Sequence, residues 1–93
     1  MIYYTKPIFG RALKERVKQK QDIISIGIWA HSVYLDCSSE VEADLLKVML
    51  DLNTMELGSE FALSYDMLNK IADDLIAGKE VDLNSKEYRE TDF

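Results

Sequence analysis

The sequence predicts an α+β domain in the order β-α-β-β-α-(β)-α, with three amphipathic helices packed on a small, largely antiparallel sheet. Three observations lead to this fold class. Isoleucines occupy every second position in part of the central run of residues 22–36. Apolar residues recur at helical spacing in three other stretches. The composition, with 47% hydrophobic and 30% charged residues, is that of a globular domain and argues against disorder.

The chain is expected to begin with a short strand over residues 2–5, which are aromatic and β-branched. Pro7 suits the first turn of the helix that follows, because a helix needs no N–H there. Gly10 should weaken this helix by about 1 kcal/mol relative to alanine. One side of the helix is apolar and contains Phe9, Leu13 and Val17. The other side is a basic face formed by Arg11, Lys14 and Lys18.

The central run is interpreted as two adjacent strands. Ile24, Ile26 and Ile28 would share one face of a strand, and Trp29 would lie on the other. The run is too long for one strand of about five to six residues, so a second strand over Val33–Leu35 is favoured over one long bent strand. A helix is disfavoured because the β-branched isoleucines and a glycine have low helix propensity.

Two further helices are predicted from their capping residues. Ser39 and Glu42 fit a capping box at the start of the second helix. Ser64 is expected to cap the third helix, and Gly78 is expected to end it. The optional strand in brackets lies at residues 61–63. The predicted core contains Ile24, Ile26, Ile28, Leu35, Val41, Leu45, Val48, Leu52, Leu68, Ile71 and Leu75.

The 93 residues are expected to form one domain over residues 1–78, followed by an acidic C-terminal tail over residues 79–93. A cytoplasmic location is expected, because Cys37 has no second cysteine to pair with and no secretory leader pattern is present. A membrane span is not expected, because no segment approaches the roughly 18 to 20 apolar residues that crossing a bilayer requires.

Catalytic chemistry has little support in the sequence. His31 and Cys37 could form a nucleophilic pair, but six residues of straight strand would separate them by roughly 20 Å. With a single histidine, a metal site is not expected, and no phosphate loop, nucleophile elbow or dinucleotide motif suggests a cofactor. An enzyme with a Cys/His or carboxylate site is therefore the third choice among functions.

The favoured function is a non-catalytic protein–protein interaction module, such as an adaptor, an inhibitor or an antitoxin-like partner, which binds another protein or itself as a homodimer. The candidate partner-binding residues are Trp29, Tyr34, Leu46 and Leu50. Large aromatic side chains on an uncovered sheet face are typical interface anchors, and the two leucines extend the apolar arc of the second helix beyond what one sheet face covers.

The alternative is a nucleic-acid-binding regulator that uses the basic face of the first helix. Residues 1–20 hold six basic side chains and one acidic side chain, a net charge of +5. The remaining residues carry five basic and sixteen acidic side chains, a net charge of −11, which would repel a nucleic acid outside the contact area. Nucleic-acid binding is therefore disfavoured relative to protein binding.

Overall fold

The elements of the described part of the protein are all helices, in a computed structural model that describes residues 4–37, 40–57 and 63–83. Within these ranges there is no strand and no sheet, so the predicted α+β fold is wrong and the architecture is an all-α, bundle-like fold. The helices are α1 (Lys6–Lys18), α2 (Ile23–Asp36), α3 (Ala43–Asn53) and α4 (Tyr65–Ile76), and a short 3-10 helix (Thr54–Leu57) follows α3.

Helix α2 replaces the two strands predicted for the central run. Its first turn is capped by Asp22, whose carboxylate accepts a hydrogen bond from the backbone N–H of Ser25 at 3.3 Å. The low helix propensity of isoleucine costs only tenths of a kcal/mol per residue. Burying a single isoleucine side chain, such as that of Ile26, contributes roughly 1.5 to 3 kcal/mol. The packing of α2 against the rest of the chain therefore outweighs the local preference for a strand.

The same change corrects the predicted core. Of the three alternating isoleucines only Ile26 is buried, whereas Ile24 is 48% exposed and Ile28 is 54% exposed. Leu35 is 68% exposed. Ile24, Ile28 and Leu35 therefore lie outside the core. The reason is that a helix turns by about 100° per residue and does not return every second side chain to the same face. The other predicted core residues are buried, namely Val41, Leu45, Val48, Leu52, Leu68, Ile71 and Leu75.

Helix α4 begins and ends as its capping residues predict. The Ser64 hydroxyl accepts a hydrogen bond from the N–H of Met67 at 3.1 Å. Gly78 has a φ of +79°, and its N–H donates to the carbonyl of Leu75, which ends α4 in a left-handed turn. At α1, the hydroxyl of Thr5 accepts from the N–H of Ile8 at 3.3 Å, so Thr5 caps a helix where a strand was expected to end.

Other predicted elements lie wholly or partly outside the described residues. The expected first strand includes residues 2 and 3, and the bracketed strand includes residues 61 and 62, none of which is described. Ser39, the expected cap of the second helix, is also outside. In the structure α3 begins one residue after Glu42, which occupies the N-cap position without a side-chain capping hydrogen bond.

The helices pack as two pairs, α1 with α4 and α2 with α3. Gly10 lies where α1 meets α4, and a Cβ atom at Gly10 would lie only 2.8 Å from the carbonyl oxygen of Ala72. The two pairs meet through the stacked rings of Phe9 on α1 and Trp29 on α2, whose centroids are 5.0 Å apart at an interplanar angle of 9°. Glycine therefore permits the close contact within one pair, and aromatic stacking connects the two pairs.

The first residues of the predicted tail belong to the same core. Val81 and Leu83, which follow α4 without forming a strand, are 4% and 1% exposed and join the hydrophobic cluster of the helices. Residues 84–93 lie outside the described ranges. The chain after Gly78 therefore contributes at least two buried side chains to the fold.

Candidate interaction surface

One side of α2 carries three exposed aliphatic side chains and a half-buried histidine. We call this row the α2 stripe, and it consists of Ile24, Ile28, His31 and Leu35. Three of the four are the exposed residues that had been predicted to be buried, and His31 lies half-buried among them. At 100° per residue the four positions fall within about 60° of one another around the helix axis. They lie opposite the buried side of α2, which contains Ile26, Ala30 and Val33.

The α2 stripe is unusual because α2 carries no charged side chain from Ile23 to Leu35. A helix that is apolar on all sides is normally buried on all sides. Here the described chain buries one side of α2, partly covers its flanks and leaves the α2 stripe exposed. A surface of this kind, bounded at its ends by Asp22 and Asp36, is typical of a protein contact site.

The candidate aromatic residues lie on the flanks of α2, not at the centre of the exposed side. Trp29 is half-buried between Phe9 and Arg16, whose guanidinium carbon lies 4.3 Å from the centroid of the indole ring. Tyr34 is half-buried against the core, and its ring lies parallel to that of His31 at 6.5 Å. Trp29 therefore serves the contact between α1 and α2, and Tyr34 borders the α2 stripe.

The two candidate leucines lie together on one side of α3. Leu46 is half-buried and packs against the core, while Leu50, one turn later, is 40% exposed. The apolar arc of α3 was predicted to be wider than one contact surface would cover. In the structure only Leu50 of the two leucines remains exposed. Leu50 adds a single exposed aliphatic side chain, compared with three in the α2 stripe.

Only one of the three cations on the basic face of α1 forms an ion pair in the described ranges. Lys14 forms an ion pair with Asp73 of α4. Arg11 and Lys18 are exposed, and neither forms an ion pair with another residue in the described ranges. Two of the three predicted phosphate-binding cations thus remain available, and the third is neutralised within the chain.

A fourth cation near the start of α1 is also paired. The Nζ atom of Lys6 lies 2.7 Å from a carboxylate oxygen of Asp44 and 3.4 Å from one of Glu42. The hydrogen bond to Asp44 is the main cause that raises the pKa of Lys6 above its usual value. This ion pair connects the first turn of α1 to the start of α3.

Cys37 and His31 are not arranged as a catalytic pair. Burial, with a smaller contribution from the charge of Asp36, raises the pKa of the Cys37 thiol above its ordinary value, so the thiol is protonated at neutral pH. Its sulfur lies 3.8 Å from the sulfur of Met49 in the core. His31 faces outward on α2, six residues and thus about 9 Å earlier along the helix axis.

The described ranges contain no cluster of three or more histidine, cysteine, aspartate or glutamate side chains arranged to hold a metal ion. A cleft of about 150 Å³ lies beside the start of α1, below the roughly 300 to 1,000 Å³ of small-molecule pockets. The cleft is lined by Tyr4, Thr5, Lys6, Pro7, Glu42 and Gly78.

None of the helices in the described ranges combines the length and the apolar character needed to cross a bilayer. In comparisons with known proteins, the chain matches no protein-family model, no curated protein and no solved structure at a significant level.

Proposed function

We propose that this protein is a non-catalytic protein-interaction module whose contact surface is the α2 stripe. The observation that carries the proposal is the exposure of Ile24, Ile28 and Leu35 on one side of an uncharged helix. Each of these side chains leaves about half or more of its surface in water. Covering that surface would contribute roughly 1 kcal/mol per side chain.

The rest of the molecule supports a role in binding. Adaptors, inhibitors and antitoxin-like partners act by covering another surface, which requires an exposed face and no reacting group. The net charge of −6 lies outside the stripe, where it would influence the association rate without being buried. A cytoplasmic location fits the single free thiol of Cys37.

The test is a pull-down from the native cell with a pair of matched variants. Ile24→Asp places a carboxylate in the stripe, and Ile8→Asp makes the same change on α1, where Ile8 is 47% exposed. Both positions lie in the first turn of a helix, where a carboxylate is tolerated well.

The wild type and Ile8→Asp are expected to recover the same partner, and Ile24→Asp is expected to lose it. Circular dichroism should show equal helix content for all three proteins. Recovery of the partner by Ile24→Asp, or equal loss with both variants, would contradict a contact surface on α2.

A second candidate function, nucleic-acid binding through α1, is supported by the exposure of Arg11 and Lys18. The two cations lie seven residues apart and thus on one side of the helix. They could neutralise about two phosphates, so the logarithm of the affinity would fall with the logarithm of salt at a slope near −2. The double variant Arg11→Glu/Lys18→Glu would abolish such binding, and unchanged RNA and DNA binding in filter assays would exclude this candidate.

A further inference from the structure

We propose that the partner covering the α2 stripe is α2 of a second copy of this chain, packed antiparallel about a twofold axis. This inference rests on the proposed function, because it names the occupant of the same surface. It requires no element other than a helix that the chain already exposes.

The spacing of the α2 stripe is that of a seam between two helices. Its four positions are separated by steps of four, three and four residues. These are the steps between the a and d positions of a heptad repeat, whose side chains insert between those of a facing helix. A strand or a flat surface would not match this spacing, so the geometry indicates a helical occupant.

The register of an antiparallel pair matches every residue of the stripe with another residue of the stripe. With the twofold axis between Ile28 and His31, Ile24 of one copy lies level with Leu35 of the second copy. Ile28 then lies level with His31 of the second copy. All three exposed aliphatic side chains of each copy are covered in this register, and no shift along the helix is needed.

The electrostatics of α2 allow this helix to pair with itself. The positions that flank the seam are Ser25, Gly27, Ser32 and Tyr34. Charges at flanking positions normally select the partner in helix pairs, and equal charges would repel when a helix meets its own copy. The flanks of α2 carry none, so self-association meets no like-charge repulsion along the seam.

The helix dipoles favour the antiparallel direction, since it places the N-terminal end of each α2 beside the C-terminal end of the other. The carboxylate of Asp22 accepts a hydrogen bond from its own helix, so it is held at the capping position. Asp36 lies at the other end, near which the positive N-terminal end of the second copy's α2 would lie in an antiparallel pair. A parallel pair would instead place the two negative C-terminal ends of the helix dipoles side by side. The carboxylates themselves do not decide the direction, because the antiparallel register also brings each Asp36 near the Asp22 of the second copy.

The seam is short, which sets the expected affinity. From Ile24 to Leu35 it extends about 16 Å along the helix. This is a small contact compared with the roughly 800 Å² that each partner buries in a stable complex. We therefore expect weak, reversible dimerisation with a dissociation constant on the order of 0.1 to 1 mM.

Sedimentation velocity over a range of concentrations tests the dimer, using the full chain and two variants. The wild type should approach twice its monomer mass as concentration rises, and Ile8→Asp should do the same. Ile28→Asp should weaken self-association by roughly 100-fold or more, because it puts two carboxylates near the twofold axis. A wild type that stays monomeric at millimolar concentration, or an Ile28→Asp variant that dimerises like the wild type, would overturn the proposal.

Cross-linking tests the direction of the helices. In a Cys37→Ala background, Ile24→Cys and Leu35→Cys chains are treated with a short bismaleimide, separately and mixed. The antiparallel register predicts cross-links only in the mixture, since two copies of position 24 lie about 16 Å apart along the axis. Cross-links within each separate variant would indicate a parallel pair and overturn this arrangement.

The outcomes also separate this proposal from the proposed function. A monomeric chain that still loses a cellular partner upon Ile24→Asp would overturn the second copy and leave the interaction surface intact. If neither self-association nor partner capture depends on the α2 stripe, both proposals fail.

Discussion

Replacing Gly10 by alanine should destabilise the fold, although alanine is the better helix former. A Cβ atom at this position would lie 2.8 Å from the Ala72 carbonyl oxygen, 2.9 Å from the Leu75 Cβ and 3.0 Å from the Ile76 nitrogen. Two of these three atoms are backbone atoms, so a side-chain rotation cannot relieve the clash. Helices α1 and α4 must move apart.

The magnitude follows from two opposing effects. Overpacking a well-packed contact costs typically 1 to 3 kcal/mol, and the backbone contacts at Gly10 place this substitution in the upper half of that range. Alanine recovers about 1 kcal/mol of helix propensity. The expected net loss in the free energy of unfolding is about 1 to 2 kcal/mol, which lowers Tm by roughly 5 to 15 °C in a domain of this size.

Urea and thermal unfolding, followed by circular dichroism, measure this effect. Gly78→Ala is the control, because no atom lies within 4 Å of the added Cβ and only the positive φ is strained, at about 1 kcal/mol. A Gly10→Ala protein more stable than the wild type would refute the reasoning, since helix propensity would then outweigh the contact between α1 and α4.

Three further predictions concern the core. Trp29→Ala should lower the free energy of unfolding by about 2 to 4 kcal/mol in urea titrations, because it removes the stack on Phe9, while Trp29→Phe should lose less. Leu83→Ala should cost about 2 to 3 kcal/mol by the same measurement, and an unchanged midpoint would contradict its burial. The Cys37 thiol should react slowly with iodoacetamide in the native protein and rapidly in urea. Because its folded pKa is raised above the ordinary 9.0, the unfolded thiol ionises first, so stability should fall as pH rises above about 9, with a smaller fall in Cys37→Ala.

The sequence predicts α1 and α4 well because each has one apolar side and one polar side, and α4 also has clear capping residues. In α4 the cap Ser64 and the terminating Gly78 both act as expected. Only a helical period of about 3.6 residues places the apolar residues of these segments on one side and the polar residues on the other, so the sequence pattern does not also fit a strand.

The central run fails for the opposite reason. Its side chains are uncharged on every side of the helix, so a period of two and a helical period both fit, and the alternating isoleucines then favour a strand. The local signal that distinguishes a helix from a strand in this run is Asp22, because aspartate is a favoured N-cap residue at the start of a helix. The spacing of the α2 stripe residues is also visible in the sequence, but it places them on one side only if the run is a helix.

The contacts between distant parts of the chain could not be predicted. Lys14 and Asp73 form an ion pair across 59 residues of sequence, and Phe9 finds Trp29 through the packing of two separate helices. Nothing local to either position specifies the other. The candidate site therefore depended on the tertiary structure, while its residue types were visible in the sequence.

The pairing of α1 with α4 joins the first and the last helix of the described ranges. Helices α2 and α3 are neighbours in sequence and can associate after closing a short loop, but α1 must wait for a segment about 60 residues away. During synthesis, α4 therefore leaves the ribosome long after α1, the helix against which it packs. Until α4 and Leu83 emerge, α1 has only α2 and α3 to pack against among the described helices, so we expect the nascent chain to bind chaperones through α1 until α4 has been synthesised.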